Sequence, residues 1–203
     1  MSIKFYQGDI PASLEFGDSV AIDTETQGLH PHRDRLCLIQ LSSGDGSAHL
    51  VQFAPDSYDA PNLKKLLGNE SITKIFHYAR FDLAIILRYL GVDCRPVYCT
   101  RVASRLARTY TDKHGLKDIC AELLDIEISK QQQQTDWAAE TLTEEQLQYA
   151  AADVRYLHRL KEILDRRLQR ENRTETAQAC FNFLPYRAAM DLDGWAALDI
   201  FAH

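Results

Sequence analysis

Long apolar runs are missing from this chain. None approaches the roughly 20 residues that a membrane-crossing helix needs, so no membrane partner is expected. The first residues, Met1-Ser2-Ile3-Lys4-Phe5-Tyr6-Gln7-Gly8-Asp9, lack the apolar core of a signal peptide. No C-x-x-C pair occurs, and the five cysteines (Cys37, Cys94, Cys99, Cys120, Cys180) are odd in number and scattered. That pattern disfavours a disulfide framework and a zinc site, and reads as reduced thiols in a cytoplasmic protein. Basic charge is also short: 23 Lys and Arg against 29 Asp and Glu leave a net −6. Such a balance is unusual for a protein that clings to long nucleic acid by counterion release. Internal repeats and linker-like stretches are absent, and the low-complexity run Gln131-Gln132-Gln133-Gln134 reads as a polar loop. What remains is 203 residues of ordinary globular composition, one fairly large domain.

The charge that is present is uneven. Between Arg95 and Lys117 six bases face the single acid Asp112, a local excess of five, so the rest of the chain carries −11. Arg101, Arg105 and Arg108 recur at i, i+4 and i+7, the spacing of one helical face. A solvated face, a phosphate-facing stripe and a charged subunit contact all fit that spacing. Lys113 extends the same basic region.

The first third of the chain patterns as β structure. Residues 19–23, 35–41 and 49–53 are short runs rich in Val, Ile and Leu, with turn residues between them. A further N-terminal strand over residues 3–6 is compatible with the pattern. Alternation follows: a helix opened by Pro61 and closed by Gly68, a strand over residues 73–77, a helix over residues 79–90 closed by Gly91, and a short strand at residues 97–99. The arginine helix, a helix over residues 116–124 and one long helix over residues 143–170 complete the series. Thr141 with Glu144, or Thr143 with Gln146, supplies its capping box. A β-meander followed by β/α alternation gives a mixed sheet with helices packed on it.

Asp23 and Glu25 stand one residue apart in Val20-Ala21-Ile22-Asp23-Thr24-Glu25-Thr26, at the end of the first strand. Alternation puts both side chains on one face. A calcium loop is a poor fit, since its third, fifth and twelfth positions here would be Glu25, Gln27 and Asp34, after a strand rather than a helix. Asp82 falls in the first turn of an apolar helix, where the dipole favours a carboxylate. Tyr149 and Asp153 share a helix face at i and i+4. Four carboxylates converging on one site repel one another unless cations sit among them. The set therefore points to divalent metal and phosphoryl-transfer chemistry.

In this order and spacing the chain resembles the Asp-Glu-Asp-Asp superfamily of 3′→5′ exonucleases, in the branch whose third motif carries tyrosine, as in ribonuclease D. Asp23-Thr24-Glu25-Thr26 is similar to the first motif and His77-Tyr78-Ala79-Arg80-Phe81-Asp82-Leu83 to the second. Asp136-Trp137 and Gln146-Leu147-Gln148-Tyr149-Ala150-Ala151-Ala152-Asp153 are similar to the region of the third. The likeness spans about residues 19–160, leaving a helical, aromatic tail over about residues 171–203. Ribonuclease D proper continues into helical nucleic-acid-binding domains that 203 residues do not accommodate. The second motif carries Tyr78-Ala79-Arg80 where polymerase-type relatives usually have Asn and Lys. Both departures favour the compact nano-RNase C branch, associated with very short RNA.

The resemblance implies an α/β, ribonuclease-H-like (DnaQ-like exonuclease) fold: a mixed five-stranded sheet flanked by helices in a single domain. It also implies a two-metal exoribonuclease, with Mg²⁺ replaceable by Mn²⁺, releasing 5′-mononucleotides from short RNA oligonucleotides. Asp23 would bridge the metals, Glu25 and Asp153 would complete the site of the water-activating ion, and Asp82 would support the second. Tyr149 would hold the attacking water in line. Leu29 resembles the family's wedge between terminal bases, or is an apolar turn residue tucked on the core. Thr26, His30, His77, Arg80, Arg101, Arg105, Arg108 and Lys113 are candidate substrate contacts; for His77, a hydrogen-bonded structural histidine at a strand end is the slightly favoured reading. Gln133 and Trp137 are weaker ones, Trp137 reading as a loop packed on the catalytic helix. The tail, dense in aromatics from Phe181 to Phe201, covers the subunit's own core or forms a homo-oligomer contact, a ring in nano-RNase C. Alternatives that stay open are an exonuclease of the same superfamily acting on single-stranded DNA or structured RNA in repair or maturation, and a catalytically silent nucleic-acid-binding scaffold.

Overall fold

A computed structural model describes residues 2–128 and 135–202; the run Gln131–Gln134, expected as a polar loop, and with it Gln133, lies outside the described residues. Six strands form one sheet: β1 (Ser2–Gln7), β2 (Ser19–Thr26), β3 (Leu36–Ser42), β4 (Ser47–Gln52), β5 (Thr73–Phe76) and β6 (Val97–Cys99). Their order is β1-β4-β3-β2-β5-β6. β4–β3 and β3–β2 are antiparallel, while β1–β4, β2–β5 and β5–β6 are parallel. The strand count exceeds the expected five by one. β1 is the added strand, zipped onto the outer edge of β4 from Ser2↔Ser47 to Gln7↔Gln52.

β3 is buried along its whole length, as befits a strand in the interior of the sheet. Among the described residues seven helices flank the sheet: α1 (Pro61–Leu67), α2 (Ala79–Leu90), α3 (Thr100–Ala107), α4 (Leu116–Leu124), α5 (Glu144–Arg155), α6 (Leu157–Arg170) and α7 (Thr174–Met190), followed by a π-helical turn, Asp191–Trp195. α1 begins with Pro61 and ends at Gly68, and Asp9 accepts the N–H groups of Asn62 and Leu63 at 3.0 and 2.8 Å, satisfying donors its first turn leaves open. α6 buries Leu157, Leu160, Leu164 and Leu168, the apolar stripe of an amphipathic helix. None of the described helices is long and apolar enough to cross a membrane.

Two expectations change here. The long helix over 143–170 is two helices, broken at Tyr156 (φ −107, ψ −4), a residue with neither the glycine nor the proline that marks a break. The arginine helix ends at Ala107, one residue before its third arginine. Arg108 (φ −123, ψ 60) therefore leaves the helical face and turns inward, where its side chain is wholly buried.

Candidate active site

The site forms at the end of β2. Asp23 and Glu25 occupy alternate positions there, opposite Gln40 and Leu38 of β3. The register shifts between Glu25 and Thr26, so the ladder is broken just past the second carboxylate. α5 lies across β2, β3 and β4 and delivers Asp153 from its third turn. Carboxylate oxygens of Asp23, Glu25 and Asp153 lie within 4.8 Å of one another. α5 is anchored for this by the Thr143–Gln146 capping box. Gln146 also donates through Nε2 to Thr135 Oγ1 and Asp136 O, each at 3.1 Å, which ties the preceding loop to the helix.

Asp82 comes from the first turn of α2. By strand alternation Thr24 points to the opposite face from Asp23 and Glu25, and its hydroxyl donates to Asp82 Oδ1 at 2.6 Å. Asp82 is buried and lies outside the tight group of three, yet its charge still acts on Asp23 and Glu25.

All four acids are held above the ordinary carboxylate range, by burial first and, for Asp23, Glu25 and Asp82, by neighbouring carboxylates as well. Burial first, then Asp82, Asp153 and Glu25, push Asp23 well above the carboxylate range. Burial, Asp153 and Asp82 do the same to Glu25. Asp153 is raised to about 7 by burial, moderated by a hydrogen bond from Tyr149. Asp82 is raised to about 7 by burial, moderated by Thr24 and backbone N–H groups. Burial and the neighbouring carboxylates push the Tyr149 phenol upward, so it stays protonated and serves as a donor. Groups that resist ionisation this strongly while offering only oxygen ligands are the donor set of a hard divalent cation. Mg²⁺ or Mn²⁺ fits them.

These carboxylates open into a cavity of about 680 Å³, whose lining includes Thr26, Leu29, His77, Arg101, Lys117 and Trp137. Trp137 is buried, with its ring 6.0 Å from that of Tyr149, the expected packing of loop on helix. His77 Nδ1 meets Thr100 Oγ1 at 2.8 Å; that hydroxyl donates to Phe76 O, so the imidazole is the donor. Leu29 is 80% exposed, which excludes the reading of a turn residue tucked on the core. A second cavity of about 510 Å³ adjoins the first through Leu29, Tyr78 and Phe81, and His30 and Arg80 line it. There Arg80 is already held by Asp191, at 2.6 and 2.8 Å.

Three candidate contacts stand apart. Arg105 and Lys113 are exposed and line neither cavity. Arg108 is a correction: its guanidinium bonds Ser104, Lys113 O and Glu122 from inside the protein. Only Arg101 and Lys117 of the six bases in the positive stretch face the carboxylates. Lys117 and Thr24 escaped the candidate set. For Lys117 the signal was its place in that stretch; for Thr24 it was the intervening position of the first motif.

Residues 8–169 match the family described as 3′–5′ exonuclease. The chain is 36% identical over 156 residues to ribonuclease D of Gluconacetobacter diazotrophicus, covering 77% of this chain and 39% of that protein. It thus spans about two fifths of the length of such relatives. Brucella melitensis NrnC with bound Mg²⁺ superposes at a TM-score of 0.96 with 57% identity over the full length of both chains. The same protein bound to pGG gives 0.97 and 58%, covering 100% of this chain and 99% of that one. Escherichia coli RNase D, described as an exoribonuclease involved in structured RNA processing, gives 0.73 and 28%, over 84% of this chain and 45% of that one.

Proposed function

Since the chain belongs to the 3′–5′ exonuclease family, alongside ribonuclease D and NrnC, we propose that it is a metal-dependent 3′–5′ exoribonuclease releasing 5′-mononucleotides from short RNA. One observation carries this reading: three carboxylates within 4.8 Å of one another, on the floor of a cavity whose wall holds Arg101 and Lys117. Asp23, Glu25 and Asp153, with Asp82 behind them, would hold two Mg²⁺, and Mn²⁺ would substitute. Bound there, divalent ions lower the pKa of an attacking water and offset charge on the leaving 3′ oxygen.

The protein's own groups do the rest. Thr24 holds Asp82 in place, and the protonated Tyr149 phenol orients the attacking water. Arg101 and Lys117 bring positive charge to a phosphate entering the cavity. Leu29, exposed at the junction of the two cavities, parts the terminal base from its neighbour. The pGG that the Brucella protein binds supports short RNA over long chains.

The exposed apolar residues Tyr186, Trp195, Leu198 and Phe201 on α7 and the turns after it support assembly of several copies, a ring being what the nano-RNase C resemblance implies; the free cysteines suit a cytoplasmic location. Digestion of RNA oligonucleotides of two to twenty units, beside single-stranded DNA of matched sequence, tests the activity. Mononucleotide release fastest from the shortest RNA is expected; equal rates on every substrate would overturn the short-RNA assignment.

A further inference from the structure

We infer that Tyr78 seats the substrate: its ring stacks on the base of the nucleotide that precedes the scissile phosphodiester. The inference rests on the exonuclease reading above. Tyr78 lies where the chain leaves β5 and enters α2, at φ 72 and ψ 40 in the left-handed region. A bulky residue there is uncommon, and glycine would make the same turn without steric cost. Burial does not compensate for it, because Tyr78 is 51% exposed. The side chain, rather than the turn, is therefore what this position supplies.

Its surroundings say what the ring meets. Tyr78, Leu29 and Phe81 are the residues shared by the two cavities, so they stand where one opens into the other. The carboxylates mark the first cavity as the place of the scissile linkage and the terminal nucleotide. The base on the 5′ side of the cut must then pass Tyr78 to enter the second cavity. The Arg101 guanidinium lies 5.1 Å from the centroid of the ring, a cation held against an aromatic face and close to the path of a phosphate. A flat ring with a guanidinium beside it suits a nucleotide of any sequence, because every base offers a π-face. The ring is also keyed to the chemistry. Phe81 N donates to Tyr78 O at 3.2 Å, closing the first turn of the helix that carries Asp82 four residues on.

The test is equilibrium binding of an RNA dinucleotide whose scissile ester is replaced by a methylenephosphonate, with and without the base on its 5′ nucleotide. Tyr78→Ala is expected to raise Kd about 10- to 100-fold for the complete analogue. For the analogue lacking that base, wild type and Tyr78→Ala are expected to agree within about threefold. Tyr78→Phe is expected to restore tight binding of the complete analogue. Tyr78→Gly relieves the left-handed backbone, and is expected to melt higher than Tyr78→Ala while binding as weakly, which separates stacking from folding. An unchanged Kd in Tyr78→Ala, or an equal loss on both analogues, overturns the inference. A wild-type protein that binds the analogue but releases no mononucleotide from RNA would sink the exonuclease reading instead, while the Kd comparison would still decide whether Tyr78 stacks on the base.

Discussion

Thr24 Oγ1 donates a 2.6 Å hydrogen bond to Asp82 Oδ1, joining the strand that carries two carboxylates to the helix that carries another, across 58 residues of chain. The bond aims Asp82 from outside the group of three, and it does so with a side chain on the far face of β2. Thr24→Val keeps the shape and removes the donor. We expect a 10- to 100-fold loss in Mg²⁺ affinity or turnover, the usual consequence of deleting a partner that orients a metal ligand. Activity titrated against Mg²⁺ checks this; an unchanged curve would make the bond structural only.

Tyr149→Phe removes the phenol and keeps the ring against Trp137. Turnover should fall roughly ten- to a thousandfold, with little change in melting temperature. A rate equal to that of wild type would leave the phenol a packing role.

Crowded carboxylates predict a pH signature in the metal-free protein. Asp82 and Asp153 are raised to about 7 from an ordinary value near 3.8, and Asp23 is raised with them. A folded value above the unfolded one contributes stability below about pH 4, which is lost as pH rises through about 7. In EDTA, Asp23→Asn should therefore gain on wild type in melting temperature between pH 5 and pH 8. The histidines His49 and His158, whose burial acts in the opposite sense below neutrality, are common to both proteins and cancel in the difference. Saturating Mg²⁺ at pH 8 should raise the melting temperature of wild type and barely move the variant. A difference that stays flat with pH would refute the crowding.

Arginines 101 and 108 should behave oppositely, although both were candidates for phosphate contact. Arg108 is buried against Glu122, Ser104 and a carbonyl, so Arg108→Ala should destabilise the protein by about 3 kcal/mol. Arg101 lines the carboxylate cavity, so Arg101→Ala should leave stability close to wild type and raise KM several-fold. Thermal melts beside steady-state kinetics separate the two.

Light scattering on pure protein should give a mass well above one chain, because Trp195, Leu198 and Phe201 expose apolar surface that a partner subunit would cover. A monomer at micromolar concentration contradicts that assembly.

The contrast between these residues shows what the chain disclosed and what it withheld. Asp23 with Glu25, and Tyr149 with Asp153, obey the local periods of strand and helix, so their shared faces could be read directly. Their convergence came from the resemblance, which the geometry of three of them now meets at 4.8 Å. Arg108 was misplaced because a helix ended one residue early, and a helix C-terminus without glycine or proline leaves little local trace. Tyr156 broke the long helix in the same silent way. β1 was only compatible with the pattern as a strand over residues 3–6 and stood outside the expected five, because its parallel pairing with β4 is a long-range contact that no local pattern encodes. Thr24 and Lys117 carried only a faint mark, a motif position and a place in the basic stretch, and like Tyr78 they took their contacts from tertiary packing.

The most direct measurement is release of 5′-mononucleotides from an RNA dinucleotide, by wild type and by Asp23→Asn, each with Mg²⁺ and with EDTA. Metal-dependent release by wild type, and a loss of at least about a thousandfold in the folded variant, is the expected result. Near-normal turnover by Asp23→Asn, or release that survives EDTA, would contradict the carboxylate cluster as the seat of the chemistry.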